Sequence, residues 1–242
     1  GAPGLSLCGM GPGRHRAGSF VSEPQILRRT GAKGMNDALR HWDQRFDRED
    51  FIFGREPCEF LLRQRPRLKA GMRALAVADG EGRNGVWLAS LGLDVVSVDG
   101  SARALAKARR LAGERGETVS FVEADLLNWT WPVGRFDVVA AIFIQFAGPE
   151  QRSRLFASMK AALAPGGLML LHGYRPEQVA LGTGGPPHVE NMYTEELLRE
   201  AFAGFEILEL RAHDSTIHEG TGHSGPSALI DLVARKPGGG AT

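Results

Sequence analysis

Residues 74–85 read Ala74-Leu75-Ala76-Val77-Ala78-Asp79-Gly80-Glu81-Gly82-Arg83-Asn84-Gly85, and the reading of this stretch decides the fold. A short apolar run that ends in glycines and passes at once into helical spacing is a strand, a tight turn and a helix. The strand is read over 74–78 and the helix over 83–91. Outward from it the same alternation recurs. Residues 94–98 read as a second strand and 101–115 as a helix, with Leu105, Ala108, Leu111 and Ala112 at helical spacing. Residues 119–122 are a third strand and 136–144 a fourth, apolar without interruption from 138 to 144. A helix over 150–163 places Leu155, Met159 and Leu163 on one face. Pro165-Gly166-Gly167 is read as its stop, before a fifth strand over 168–172. Short helices are expected over 36–48, 56–65 and 194–203, and a closing strand pair over 205–211 and 227–235. Strands that alternate with helices imply a parallel sheet covered on both faces, and an unbroken apolar strand fits its centre. The expected class is therefore α/β: a Rossmann-like, doubly wound, mostly parallel seven-stranded sheet with an antiparallel edge strand and helices on both faces.

The chain of 242 residues is of single-domain size, with 43% hydrophobic and 24% charged residues. Lys+Arg 29 against Asp+Glu 28 gives +1, which offers no case for a nucleic-acid or membrane partner. The longest apolar run is too short to cross a bilayer. Two cysteines, Cys8 and Cys58, make no disulfide framework and read as reduced thiols of a cytoplasmic protein. Residues 1–34 are rich in Gly, Ser, Pro and Arg with Glu23 as their only acid, and are expected to be a disordered extension or tag. The domain is expected over 35–237, with a flexible tail over 238–242.

In a doubly wound sheet the ligand lies beyond the carboxyl ends of the strands. Gly80-x-Gly82-x-x-Gly85 fits the dinucleotide pattern, and Asp99 ends the second strand, where an acid takes ribose hydroxyls. An NAD(P)-dependent oxidoreductase is thus one reading. The charges favour another. Asp79 and Glu81 flank Gly80, and two carboxylates would repel a diphosphate. S-adenosylmethionine has a ribose, a sulfonium and an ammonium but no phosphate, and acids suit it. Asp125, after the third strand, is placed to accept from an adenine amino group. Asp79, Asp99 and Asp125 then stand at the ends of three successive strands.

These residues resemble the class I S-adenosylmethionine-dependent methyltransferases, and within them the tellurite-resistance and thiol-methyltransferase-like branch. The resemblance runs from about Trp42 to Lys236. It rests on Trp42-Asp43-Gln44-Arg45-Phe46 and Phe53-Gly54-Arg55-Glu56-Pro57, on Gly80-Glu81-Gly82-Arg83-Asn84 with Val86-Trp87-Leu88-Ala89, and on Val98-Asp99-Gly100-Ser101. Ala124-Asp125-Leu126, Phe136-Asp137-Val138-Val139, Pro165-Gly166-Gly167, Gly182-Thr183-Gly184-Gly185-Pro186 and Glu219-Gly220 with His223 complete it. Such enzymes commonly carry an acid at the place of Ala76 and a Gly at that of Ala78, and a hydrophobic residue at that of Gly100. Asp79 is the candidate replacement for the missing acid at the donor's amino end. The resemblance implies that Asp99 and its neighbours Gly100 and Ser101 hold the ribose, and that Ala124, Asp125 and Leu126 hold the adenine. It implies that Ala78, Gly80 and Asn84 hold the methionine part, and that Ile142 and Gln145 lie beneath it. Trp42, Arg45 and Gly54 would form a cover.

The acceptor side is expected after the fifth strand and along 174–193, where Gly182-Thr183-Gly184-Gly185-Pro186-Pro187-His188 reads as a hinged lid. His172, Tyr174, Arg175 and His223 are the candidate catalytic residues, with His188 nearby. The five-residue spacing of His213, His218 and His223 matches no zinc signature, so no metal is expected. Trp129 and Trp131 are read as packing residues. The expected function is methyl transfer from S-adenosylmethionine to a small-molecule acceptor (a thiol, a metalloid oxyanion or a small metabolite) by a monomer or homodimer. The alternatives are the NAD(P) oxidoreductase and a non-catalytic module that binds S-adenosylmethionine.

Overall fold

A computed structural model describes residues 37–239. The extension expected over 1–34 and residues 240–242 of the tail lie outside the described residues. The elements are α1 (Asp37–Arg45), α2 (Glu59–Arg63), β1 (Arg73–Val77), α3 (Arg83–Ser90), β2 (Asp94–Asp99), α4 (Ala102–Arg115) and β3 (Ser120–Glu123). They continue with β4 (Phe136–Ile142), α5 (Pro149–Ala162), β5 (Leu163–Tyr174), α6 (Gln178–Leu181), α7 (Glu195–Ala201), β6 (Glu206–Glu219) and β7 (His223–Arg235).

One seven-stranded sheet has the order β3-β2-β1-β4-β5-β7-β6. Strands β1 to β5 pair in parallel, and β7 is antiparallel to both β5 and β6. The expected antiparallel edge is thus the β6–β7 hairpin. The order reverses between β1 and β4, which sets the switch point beside the glycine turn. Successive residues of the central strands feed opposite faces. Leu75, Val77, Val139, Ala141, Met169 and Leu171 pack into one core cluster; Ala74, Val138, Ala140, Ile142, Leu168 and Leu170 pack into another. Burial on both faces is why β4 is apolar at every position from 138. Trp129 and Trp131 are partly buried against the first cluster.

Helix ends follow local chemistry. The Ser101 hydroxyl accepts from Ala104 N and starts α4, and Gly116, at φ 70°, ends it. Thr194 caps α7 by accepting from Leu197 N.

Two expectations about the strands are corrected. Pro165-Gly166-Gly167 does not separate a helix from a strand. The chain enters β5 at Leu163, and the triplet lies inside the strand, where pairing with β4 slips register between Phe136 and Val138. A Cβ on Gly167 would sit 2.9 Å from the Ala164 carbonyl, so the bulge needs glycine. The closing strands are also longer than expected, Glu206–Glu219 and His223–Arg235. The last pair between β5 and β7 is Tyr174 with Leu229, so the hairpin from about 212 to 228 runs on beyond the sheet as a two-stranded ribbon. Its tip docks on the segment after α1, where Gly222 N donates to Ile52 O at 2.9 Å.

Candidate active site

A cavity of about 730 Å³ opens at the carboxyl ends of β1 to β5. Its floor is the β1–α3 turn. Ala78 takes φ 48°, a left-handed conformation that a Cβ disfavours by about 1–2 kcal/mol, so alanine here does what glycine does more easily. Asp99 lines the wall. Its Oδ2 accepts from Gly80 N at 2.9 Å and its Oδ1 from Ser101 N at 2.8 Å. Burial raises the Asp99 carboxyl, and these N–H groups work against that rise. Asp125 also lines the cavity, with its oxygens oriented by Leu127 N at 3.0 Å and Asn128 Nδ2 at 2.8 Å. Ala124, Leu126, Gly100 and Ile142 supply apolar wall between these acids.

The two acids of the glycine turn are both engaged within the protein. Glu81 accepts from Ile52 N at 3.1 Å and Phe53 N at 3.2 Å, and forms a buried pair with Lys107 Nζ at 2.8 Å. Asp79 accepts from Gly85 N and from Ser97 Oγ at 2.9 Å. Burial pushes the Asp79 carboxyl up to about 7. The expectation that this pair acts as two free negative charges on the ligand is corrected: Lys107 neutralises one, and the N-terminus of α3 holds the other. Asp79 still lines the cavity, yet its carboxylate is committed to α3 and Ser97 rather than free for an amino group.

The roof is built from α1 and the segment after it. Trp42, Phe46 and Phe53 form an aromatic cluster, with ring centroids 5.9–6.4 Å apart. The Arg45 guanidinium lies over Trp42 at 5.0 Å and over Phe53 at 5.5 Å. Asn84 lines the cavity while its Oδ1 accepts from Cys58 N at 2.9 Å. Gln145 ties β4 to β5: it donates to Tyr174 O at 2.8 Å and accepts from Tyr174 N at 2.6 Å.

Another part of the same cavity is lined by Phe53, Phe143, Tyr174, His223 and residues 185–188. The expected lid, 182–188, packs on Tyr174; a Cβ on Gly185 would lie 2.9 Å from the Tyr174 ring. His223 comes from the hairpin. Burial holds it below its ordinary value, against the pull of Glu219. Burial works to raise the Glu219 carboxyl, but His223 and Arg83 outweigh it and hold it well below the usual carboxylate range. Tyr174 is raised by burial and stays protonated.

Four expected site residues stand away from the cavity. Gly54, at φ 74°, lets the hairpin tip approach, with a hypothetical Cβ 3.3 Å from Gly220 N. Ser101 caps α4 and donates to Asp43 at 2.7 Å. His172 is buried with Nδ1 2.6 Å from Asp231, stacked on Phe60 at 5.2 Å. Burial opposes its charge, yet Cys58 and Asp231 push it up to about 10. Arg175 pairs with Asp214 and Glu177 on the β6 side. Ser101, His172 and Arg175 are each held by a partner far away in sequence, Asp43, Asp231 and Asp214 respectively. Conversely Leu39, Phe53 and Phe143 line the cavity without having been anticipated. Phe143, at φ 56°, directly follows β4 and so reads as more strand; only its backbone turn brings its ring between His172, Tyr174 and His223.

A switch-point cavity with a carboxylate at the end of β2, roofed by α1, is the place where Rossmann-like sheets receive a ligand. Residues 74–167 match the family described as Methyltransferase domain. Over this segment, from β1 into β5, the chain is similar to S-adenosylmethionine-dependent methyltransferases. Among curated relatives, the glycine/sarcosine N-methyltransferase of Halorhodospira halochloris is 33% identical over 142 residues, covering 56% of this chain and 48% of that protein. Thiocyanate methyltransferase 1 of Arabidopsis thaliana is 35% identical over 130 residues, covering 52% and 56%. The chain spans about half the length of the curated relatives it matches. In fold it is similar to N-methyltransferase NodS from Bradyrhizobium japonicum WM9 in complex with S-adenosyl-L-homocysteine, with TM-score 0.65 and 16% identity over 84% of this chain and all of that one. Among the described residues no helix is long and apolar enough to cross a membrane.

Proposed function

We propose that this chain moves a methyl group from S-adenosylmethionine to a small-molecule acceptor. The observation that carries the reading is the position of Asp79. A dinucleotide sets its diphosphate on the N–H groups that open the helix after β1. Here the Asp79 carboxylate itself accepts from Gly85 N at 3.1 Å. The anion position of α3 is filled from within, and the turn is left suited to a nucleoside without phosphate. Asp99, fixed by two N–H groups, offers a directed carboxylate to ribose hydroxyls. Asp125, Ala124 and Leu126 lie where an adenine would follow, and Ala78 and Gly80 border the methionine end.

When bound, the donor supplies a methyl group already activated on a sulfonium. The protein has to hold it, align an acceptor in line and exclude water. Trp42, Arg45 and Phe53 cover the donor end, while the glycine-rich loop over Tyr174 closes the acceptor end. The curated methyltransferase relatives support a small acceptor. The buried free thiol of Cys58 accords with a reducing, cytoplasmic setting.

Calorimetry tests the reading. S-adenosylmethionine and S-adenosylhomocysteine are expected to bind and NAD is not, and Asp99→Ala is expected to weaken donor binding at least about tenfold, the scale of one lost charge-assisted hydrogen bond. Tight NAD binding, or wild-type donor affinity in the variant, would overturn it.

A further inference from the structure

Two polar atoms at the acceptor end of the cavity are unpartnered. Tyr174 Oη and His223 Nδ1 are buried without a hydrogen-bond partner among the described residues. Both side chains line the cavity, and they are 1% and 9% exposed. Buried polar groups are ordinarily paired; Nδ1 looks to Glu219 across a gap too long for a hydrogen bond, and Tyr174 Oη is left beside the cavity without an acceptor. The space is walled by flat apolar surface. The rings of Phe53 and Phe143 lie 4.5 and 4.3 Å from that of His223, and Pro186 and Pro187 border the same chamber. Behind His223 stands a fixed carboxylate. Glu219 Oε2 is 3.8 Å from Nδ1, at ion-pair rather than hydrogen-bond distance, and 2.6 Å from Arg83 Nη2.

We propose, resting on the methyl-transfer reading above, that His223 is the general base of this site with Glu219 positioning it, and that the acceptor is a small planar molecule bearing an ionisable O–H, S–H or ring N–H. Glu219 on β6 favours the imidazolium. Arg83 on α3 and Arg45 on α1 disfavour it, and Tyr174 on β5 is neutral. Burial leaves the ring unprotonated and ready to accept. With Nδ1 turned to Glu219, the other ring nitrogen is left for the acceptor, and Tyr174 Oη donates a hydrogen bond that fixes the acceptor atom. In the transfer, a lone pair of the acceptor atom forms the bond to the methyl carbon as the carbon–sulfur bond breaks, its pair going to sulfur. The acceptor's proton passes to His223 and from there to solvent. A halide or another anion without a proton has no use for this pair.

The test uses the whole chain with 4-nitrophenol and 4-nitrothiophenol as protic probes and iodide as the aprotic one. With S-adenosylhomocysteine bound, 4-nitrophenol is expected to bind as the neutral phenol, hydrogen-bonded to His223, and His223→Gln is expected to weaken that binding. In turnover, His223→Gln should lower kcat for a protic probe by about 10²–10⁴-fold, the range of general-base catalysis, and fall at least tenfold harder on it than on iodide. Glu219→Gln, which keeps an acceptor for Arg83, should lower the apparent pKa of the rate profile while leaving KM for the donor within about threefold. Donor binding without protic turnover, an equal loss on iodide, or a pH profile unmoved in Glu219→Gln would each overturn the proposal. Failure of the donor itself to bind would instead overturn the methyl-transfer reading.

Discussion

A Cβ placed on Gly100 would lie 2.3 Å from Leu39 Cδ2. The covering helix α1 thus puts an isobutyl group into the space that a side chain after Asp99 would fill. Both residues line the cavity beside Ala124. One apolar wall of the expected adenine site has moved from the end of β2 to α1, and cover and nucleoside site are built together. Leu39→Ala is expected to weaken donor binding by about tenfold, in line with about 1.5 kcal/mol for uncovering one aliphatic side chain. Gly100→Ile alone should disturb the docking of α1, and Gly100→Ile with Leu39→Ala should restore part of the affinity. Calorimetric affinities that were additive across the pair would show that the two side chains do not share one space.

The Glu81–Lys107 pair predicts how the roof is fastened. Side-chain exposure is 1% for Glu81 and 8% for Lys107, and Lys107 Nζ also donates to Asp50 O at 2.8 Å. Removing one member leaves a buried charge unpaired, a loss of about 3–5 kcal/mol. Lys107→Met should therefore lower Tm by about 10 °C or more for a domain of this size, and adding Glu81→Gln should recover part of the loss. Unchanged Tm in Lys107→Met would mean that the carboxylate finds water or another cation.

The central sheet was legible because its signal is local. Strands β1, β2 and β4 are apolar runs bounded by turn residues, and α4 carries its helical spacing and its Ser101 cap in consecutive sequence. The far half of the β6–β7 hairpin was not. Most of its residues from Arg211 face solvent at least in part, so the apolar alternation that betrays a strand fades there, and its pairing is with itself beyond the sheet. The site divides the same way. Asp99, Asp125 and Gly80 stand at strand ends and could be read by position. His172 could not be told from a cavity residue, because the groups that claim it, Asp231, Phe60 and Cys58, lie 59 or more positions away or on another element. Leu39 and Phe143 depended on a helix docking and on a positive φ, and neither leaves a mark in residue spacing.

Asp79 predicts an unusual pH dependence. An aspartate in an unfolded chain releases its proton near pH 4, on the order of three units below the value of about 7 that burial imposes here. Between those values the folded chain binds more protons than the unfolded one. The contribution of this group is therefore fully present below about pH 4 and is lost as pH rises through about 7. Asp79→Asn keeps an acceptor for Gly85 N and removes the ionisation. The difference in unfolding free energy, variant minus wild type, should increase between about pH 5 and about pH 8, by up to a few kcal/mol. A difference that stayed constant across that range in denaturant titrations would place the Asp79 pKa near its ordinary value.

Gly220 sets how closely the hairpin tip seats on the roof. It has φ 67°, and a Cβ there would lie 2.3 Å from Ile52 O and 2.4 Å from Gly54 N. Both contacts are backbone, so no side chain can turn aside. Gly220→Ala has to lift the tip, stretching the Gly222 N to Ile52 O bond and drawing Glu219 from Arg83. Because His223 and the roof segment carrying Phe53 meet at this contact, the expected result is a looser chamber rather than a lost fold. Donor dissociation should quicken, and proteolysis should cut sooner within residues 48–56, while the β1–β5 sheet keeps its circular-dichroism signal. The conservative control is Gly71→Ala. Gly71 also has a positive φ, 84°, but a Cβ there meets nothing within 4 Å. It should show the backbone strain of about 1–2 kcal/mol without the change in dissociation rate. Equal dissociation rates in the two variants would mean that strain alone, and not the seating of the hairpin, governs access to the cavity.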